Sequence, residues 1–258
     1  LRAVPTFRKM FTTVKFTVTH EHFLATQSPD RYPHPMTDDP PSESGWRGSP
    51  DLWLEAAHDM LVESGVDAVR IQPLAKRLNI ARTSFYWHFK DRETLLAALA
   101  DRWAARTTAG LVAACTAFAD TKAEAMLNVI SCFLSDAAFD SRLEFAIRSW
   151  ALQDATIMAR LNAEDSTRID ALIALYHHWG HVGVDADTRA RAVYLTQIGY
   201  ISTQAREDLS IRMARIPAYV ELFTDTAPSP RELARFHARH GFSPVSYTHL
   251  TLPTNREV

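Results

Sequence analysis

Basic residues crowd the stretch RIQPLAKRLNIARTSFYWHFKDR, where Arg70, Lys76, Arg77, Arg82, Lys90 and Arg92 stand against a single acid, Asp91. The whole chain of 258 residues carries a formal charge of -2, so this positive charge is local. A local basic surface on a near-neutral chain is the charge pattern of a face that docks a polyanion. The side chains between the charges refine that chemistry. The Arg82 guanidinium matches guanine O6 and N7 in bidentate fashion, and Thr83 and Ser84 are short enough to approach a base edge or a thymine methyl. These three residues are assigned to base reading. Tyr86, Trp87 and His88 follow, with a hydroxyl and an imidazole suited to phosphate oxygens; Trp87 fits either packing or a wedge against the backbone. Lys90 and Arg92 flank a helix start whose free N–H groups favour an anion, and Gln72 is placed to hold the neighbouring phosphate strand. Gln72, Tyr86, Trp87, His88, Lys90 and Arg92 are therefore assigned to phosphate contact. Phe85, against Leu74, and Phe89 read as core; Arg70 and Arg77 read as solvated charges.

Positioning these groups requires short helices at fixed angles, and the sequence spells them out. Ser49 is a cap for a helix beginning at Pro50, where a missing N–H costs nothing. Leu52, Trp53, Ala56, Ala57, Met60 and Leu61 then recur at helical spacing, with Glu55, Asp59 and Glu63 outward. Gly65 ends this helix, because glycine enters the left-handed region without strain. A second helix is expected from about Gln72, with Leu74, Ala75 and Leu78 inward, and Asn79 makes a sharp turn that Ile80 plugs. A third helix is expected from Ala81 or Arg82. Asp91 caps a fourth, in which Leu95, Leu96, Leu99 and Trp103 share a face. Three small helices joined by such a turn form a helix-turn-helix.

In this order, Gly65, Val69 with Ile71, Leu74-Ala75, Asn79-Ile80, Ser84-Phe85-Tyr86, His88-Phe89-Lys90, Arg92 and Leu95-Leu96 resemble the DNA-binding region of the tetracycline-repressor (TetR) family of bacterial transcription regulators. The resemblance spans residues 49 to 103, about a fifth of the chain. Two positions depart from the pattern: Asn79 stands where glycine is usual, and Thr83 where Gly, Pro or Ala is commoner. Asparagine tolerates positive φ, so the turn survives, while Thr83 shifts the expected base preference. The resemblance implies an all-α protein with an N-terminal three-helix DNA-binding domain and a C-terminal helical bundle for effector binding and dimerisation.

The remaining pattern fits that architecture. Helices are expected at about Lys122–Ala137, Ser141–Leu152, Asn162–Trp179, Ala186–Arg206, Arg212–Phe223 and Pro230–Arg239, with no strand-like alternation. The domain expectation is a leader at 1–35, an arm at 36–48, the helix-turn-helix with its connecting helix at 49–110, the effector and dimerisation domain at 111–243, and a tail at 244–258. Translation is expected to begin at Met36, and the tail PVSYTHLTLPTNREV resembles translated adapter sequence; both ends are expected to be foreign to the fold. Arg47 in the arm is a candidate for minor-groove contact. Effector candidates are Phe118, Phe133, Trp150, Tyr176, His177 and Gln197, which suit an apolar or aromatic compound. Tyr194, Ile198, Ile201 and Ala205, with Tyr219, Leu222 and Phe223, form stripes that fit either subunit core or a two-fold interface.

Other classes have less behind them. His177, His178 and His181 with Asp185 and Asp187 approach metal-ligand spacing, but Gly180 interrupts the helix among the histidines. Cys115 and Cys132 read as small core residues of a reducing compartment, with a thiol sensor as the alternative. No glycine-rich phosphate loop, nucleophile elbow or catalytic carboxylate pair is present, so an enzyme is not expected, and neither is a cofactor. No apolar run reaches the roughly 18–20 residues of a spanning helix. The expectation is a cytoplasmic homodimeric repressor on a palindromic operator in double-stranded DNA, released by a small molecule; the alternatives are a metal- or thiol-responsive regulator and, behind it, a helical enzyme without a recognisable catalytic motif.

Overall fold

The computed structural model describes residues 48–205 and 207–243, so the expectations for the two ends, Arg47 included, and for Arg206 lie outside the described residues. Those residues form helices and turns and no strand. The N-terminal part consists of α1 (Pro50–Ser64), a 3-10 turn at Val66–Ala68, α2 (Ile71–Leu78), a 3-10 segment at Arg82–Trp87, and the long α3 (Arg92–Thr116). Each boundary has a chemical cause. Ser49 Oγ accepts from the Leu52 amide at 3.2 Å, and the Asp91 carboxylate accepts from the Thr94 amide at 2.8 Å. Gly65 takes φ 79°, and Asn79 sits in the left-handed region at φ 53°. The expected third helix is instead a six-residue 3-10 segment. RTSFYW is poor in strong helix formers, and the burial of Phe85 sets the path of the chain there.

The C-terminal part comprises α4 (Lys122–Phe133), α5 (Ser141–Ala151), α6 (Ala155–His178), α7 (Gly183–Ser202), α8 (Leu209–Thr224) and α9 (Pro230–Arg239). Two boundaries differ from expectation for visible reasons. Helix α6 starts at Ala155, because the Asp154 carboxylate caps the amides of Thr156 and Ile157 at 2.9 and 3.2 Å. Helix α4 stops at Phe133, because the chain folds back through a turn in which Ser135 O accepts from Ala138 and Phe139. Arg106 of α3 clamps that turn by donating to the carbonyls of Asp136 and Ala137 at 2.7 and 2.9 Å. The approach is so close at Gly110 that a Cβ there would lie 2.5 Å from Ala138 O.

The apolar core forms two groups. One joins Trp53, Leu61, Leu74, Phe85, Leu95, Leu99 and Trp103 to Leu143, Ile147 and Trp150 of α5 and to Ile157 and Leu161 of α6. The other joins α4 to α7, α8 and α9 through residues such as Phe133, Tyr176, Val193, Val220 and Phe236. The helix-turn-helix is thus packed directly on α5 and the start of α6. Burying side chains of the size of Leu or Phe contributes roughly 1.5–3 kcal/mol each, so this seam is a firm mechanical joint.

Polar groups reinforce the joint. His58 of α1 bonds through Nε2 to Asp140 Oδ2 at 2.8 Å, while Asp140 Oδ1 caps α5 at the Arg142 and Leu143 amides. The hydrogen bond to Asp140 raises the His58 pKa above its usual value against the opposing effect of burial, with Asp59 at 3.2 Å adding to the rise. Burial works to raise the Asp140 pKa, and the His58 and Leu143 hydrogen bonds carry it below the usual carboxylate range. A raised histidine pKa contributes stability that is fully present below the unfolded value and is lost as pH rises through the folded one. The stability difference between the parent and His58→Gln should therefore shrink as pH rises beyond about 6.5. Urea melts at a series of pH values check this, and a difference that grows with pH in that range would rule the bridge out as its source.

Deeper still, Arg168 of α6 is fully buried beside the fully buried Glu144 of α5. Its guanidinium donates to Glu144 Oε1 at 3.0 Å, Tyr194 Oη at 3.1 Å, Thr108 Oγ1 at 2.9 Å and Thr107 Oγ1 at 2.6 Å. Glu144 also receives Trp103 Nε1 at 2.7 Å and Arg148 Nε at 2.9 Å, and Asp165 receives Arg148 and Tyr194. Burial works to lower the Arg168 pKa, and Glu144, Tyr194 and Asp165 together outweigh it and hold the pKa above the usual arginine value. The network ties α3, α5, α6 and α7 together.

Candidate nucleic-acid interface

The segment Arg82–Trp87 is held from behind by aromatic packing. Phe85 is fully buried, with its ring edge-on to Trp53 at 5.3 Å between centroids and 5.6 Å from Phe89. This anchoring turns Arg82 and Thr83 to the surface. Arg82 donates to Tyr86 Oη at 3.2 Å, and Tyr86 and Trp87 are half-exposed or more. Beside them a shallow trough of about 740 Å³ is walled by Arg70, Ile71, Gln72, Pro73, Lys76, Arg82 and Arg92. The wall contains no carboxylate among the described residues, so the trough is a concentrated positive surface at the mouth of the helix-turn-helix.

Three sequence assignments need revision in this geometry. Ser84 is buried, 7% exposed, because it lies on the inner side of the segment next to Phe85; its hydroxyl is not presented to a base edge. Arg92 donates to Val69 O at 2.6 Å and Val66 O at 2.7 Å. It lines the trough, yet its guanidinium is committed to bracing the loop before α2. His88 has Nε2 enclosed and without a hydrogen-bond partner among the described residues, so only the rest of its ring is open to a phosphate. Gln72, Lys76 and Lys90 are exposed. Lys76, part of the basic stretch, and Arg70, which reads from the sequence as a solvated charge, wall the trough. The spacing of Gln72 and Lys76, one helical turn apart, was the available signal. Arg77 is no free surface charge: it pairs with Glu63 at 2.6 Å and Asp59 at 3.3 Å, pinning α2 to α1.

The six effector candidates do not converge on one site. Phe133 and Gln197 line a cavity of about 400 Å³, and Trp150 lines a separate pocket of about 150 Å³ against α1. Tyr176 is fully buried and donates to Phe223 O at 2.8 Å, which is a structural role. His177 is exposed near the end of α6, and Phe118 is 87% exposed in the turn after α3, beside another surface hollow. In the stripes considered for dimerisation, Tyr194, Ile198 and Phe223 are buried within the subunit. His181 pairs with Asp185 at 2.6 Å, Asp185 with Arg189, and Asp187 with Arg191. Cys115 and Cys132 are buried, and burial pushes their thiols up to about 12 and about 11. Thiols so raised are poor nucleophiles. Among the described residues no helix is long and apolar enough to cross a membrane.

Residues 54–99 match the family model described as bacterial regulatory proteins, tetR family. Over 52 residues the chain is 42% identical to the tetracycline repressor protein class A from transposon 1721 of Escherichia coli, covering 20% of this chain and 24% of that protein. Over 47 residues it is 40% identical to the class D tetracycline repressor protein of Escherichia coli, covering 18% of this chain and 22% of that protein. The chain thus spans less than a quarter of the length of these curated relatives. Among solved structures, the fatty acid degradation regulator FadR from Bacillus halodurans superposes with a TM-score of 0.53 at 17% identity, covering 71% of this chain and 97% of that one. At that identity the likeness concerns the fold alone.

Proposed function

We propose that the chain, whose residues 54–99 match the family model of bacterial regulatory proteins of the tetR family, is a DNA-binding transcription regulator of that family acting from the Arg82 face. The observation that carries this reading is the placement of Arg82 and Thr83. Both are exposed at the start of a segment locked from behind by Phe85, at the rim of an all-positive trough. Arg82 and Thr83 read base edges in the major groove. Gln72, Lys76, Lys90 and Arg70 hold phosphate, with Tyr86, Trp87 and the open side of His88 beside them.

The regulator is a cytoplasmic homodimer, because one short segment reads only a few base pairs. Two such segments roughly 34 Å apart read successive major-groove faces of a palindrome. The outer faces of α7 and α8 leave Leu195, Ile211 and Leu222 exposed, and these are the side chains proposed to meet across the two-fold. A small molecule bound in the helical bundle favours the arrangement that cannot hold DNA and so releases the operator, lifting repression by polymerase occlusion.

Salt dependence tests this. The logarithm of the association constant for duplex DNA should fall linearly with the logarithm of salt, by about 0.9 per phosphate neutralised. Lys76→Ala should reduce that slope by about 1 across all sequences. Affinity for duplex that is insensitive to salt would refute the phosphate-gripping trough.

A further inference from the structure

The 400 Å³ cavity lies where α1, α4, α5, α7 and α8 meet, and its lining is chemically uneven. Val62, Phe133 and Phe145 supply an apolar wall, while Arg142 and Arg212 supply two cations. No aspartate or glutamate is among the described lining residues. The nearby acids are already engaged: Glu207 is held by Arg215 at 2.6 Å, and Glu63 by Arg77 at 2.6 Å. Arg212 is half-buried, stacks over the Tyr200 ring at 5.2 Å, and has no carboxylate within ion-pair distance among the described residues. Burial accordingly lowers its pKa below the usual arginine value. Gln197, only 6% exposed, faces the same space, and its amide makes no side-chain hydrogen bond among the described residues. The Arg212 guanidinium, stacked on a ring but in no ion pair among the described residues, and the Gln197 amide thus face the cavity with donor capacity that a ligand can take up.

We propose that this cavity binds an organic anion with an apolar body, its charged head held by Arg212 and Arg142 and oriented by Gln197. The apolar body follows Val62 and Phe145. Both residues also line the adjoining 150 Å³ pocket, which continues along the α1–α5 seam to Leu61 and Trp150. The inference rests on the ligand-responsive reading above and narrows its ligand from any apolar or aromatic compound to an amphipathic acid. The occupant touches α1 directly through Val62 and reaches the helix capped by Asp140, which is itself bonded to His58 of α1. Ligand binding is thereby placed against the element that carries the helix-turn-helix.

Calorimetric titration of the full chain with decanoate, decyl phosphate and decanol tests the proposal. A carboxylate or a phosphate head should bind about tenfold more tightly than the alcohol, the scale of a charge-assisted hydrogen bond. Whichever of the two anions binds better identifies the head group. Arg212→Gln should abolish that preference and Arg212→Lys should retain it. Arg142→Gln, at an exposed position, should weaken anion binding without affecting folding. Equal affinity for decanol and both anions, no binding of any probe, or an unchanged preference in a folded Arg212→Gln protein would overturn the assignment. Duplex affinity measured with and without the bound anion keeps the two readings apart. Anion binding with no change in DNA affinity would uphold the cavity chemistry and remove ligand response from the proposed function.

Discussion

Arg168→Leu is expected to destabilise the protein by about 3–5 kcal/mol, the loss seen when one partner of a buried ion pair is removed. The guanidinium is fully buried and serves four acceptors on three other helices: Glu144, Tyr194, Thr107 and Thr108. It also lies over the rings of Trp103 and Phe139 at 5.1 and 5.2 Å. Leucine fills part of the volume but leaves the Glu144 charge with Arg148 and Trp103 as its remaining partners. Those surviving bonds place the loss toward the lower end of the range. Glu144→Leu should cost as much or more, because the Arg168 cation would then keep only Asp165, at 3.6 Å, as an acid near it. The double variant should lose less than the sum of the single ones, since each substitution removes the charge that the other stranded. Urea unfolding at fixed protein concentration measures all three. A loss below about 1 kcal/mol for Arg168→Leu, the scale of a surface ion pair, would show that the network carries little of the bundle's stability.

Arg82→Ala has the second large effect, and it falls on recognition rather than folding. The side chain is exposed, and its one hydrogen bond among the described residues goes to Tyr86 Oη. Stability should therefore stay within about 0.5 kcal/mol of the parent. Affinity for the preferred duplex should drop by about 1–3 kcal/mol, while affinity for unrelated duplex should drop far less. Competition binding between the two duplexes reads the difference. An unchanged preference in a folded Arg82→Ala protein would move base reading to another residue.

The parts of this structure that were legible in the sequence are those set by local chemistry. Ser49, Gly65, Asn79 and Asp91 each act on atoms within a few residues, so their types and positions alone predicted where elements start and stop. Phe85 and Phe89 were legible as core because the pattern around them places them opposite the charges. Contacts between distant parts of the chain were not legible. Glu144, Arg148 and Arg168 have the composition of a solvated surface, and only the packing of four helices makes them a buried network. His58 and Asp140 lie 82 positions apart. A place at a helix start makes Arg92 a phosphate candidate by sequence, whereas tertiary structure supplies it with two loop carbonyls first. The effector candidates scattered for a related reason: an aromatic residue in a helix looks the same whether it lines a cavity, as Phe133 does, or fills the core, as Tyr176 does.

The central claim, that paired copies of this chain read DNA from the Arg82 face, is tested most directly by selecting bound sequences from a pool of random duplexes with the full-length protein. The predicted result is an enriched palindrome whose half-sites lie about one helical turn apart, with the enrichment weakened at one position of each half-site in Arg82→Ala. Recovery of a pool no different from the input, or of a palindrome equally enriched by Arg82→Ala, would contradict the account.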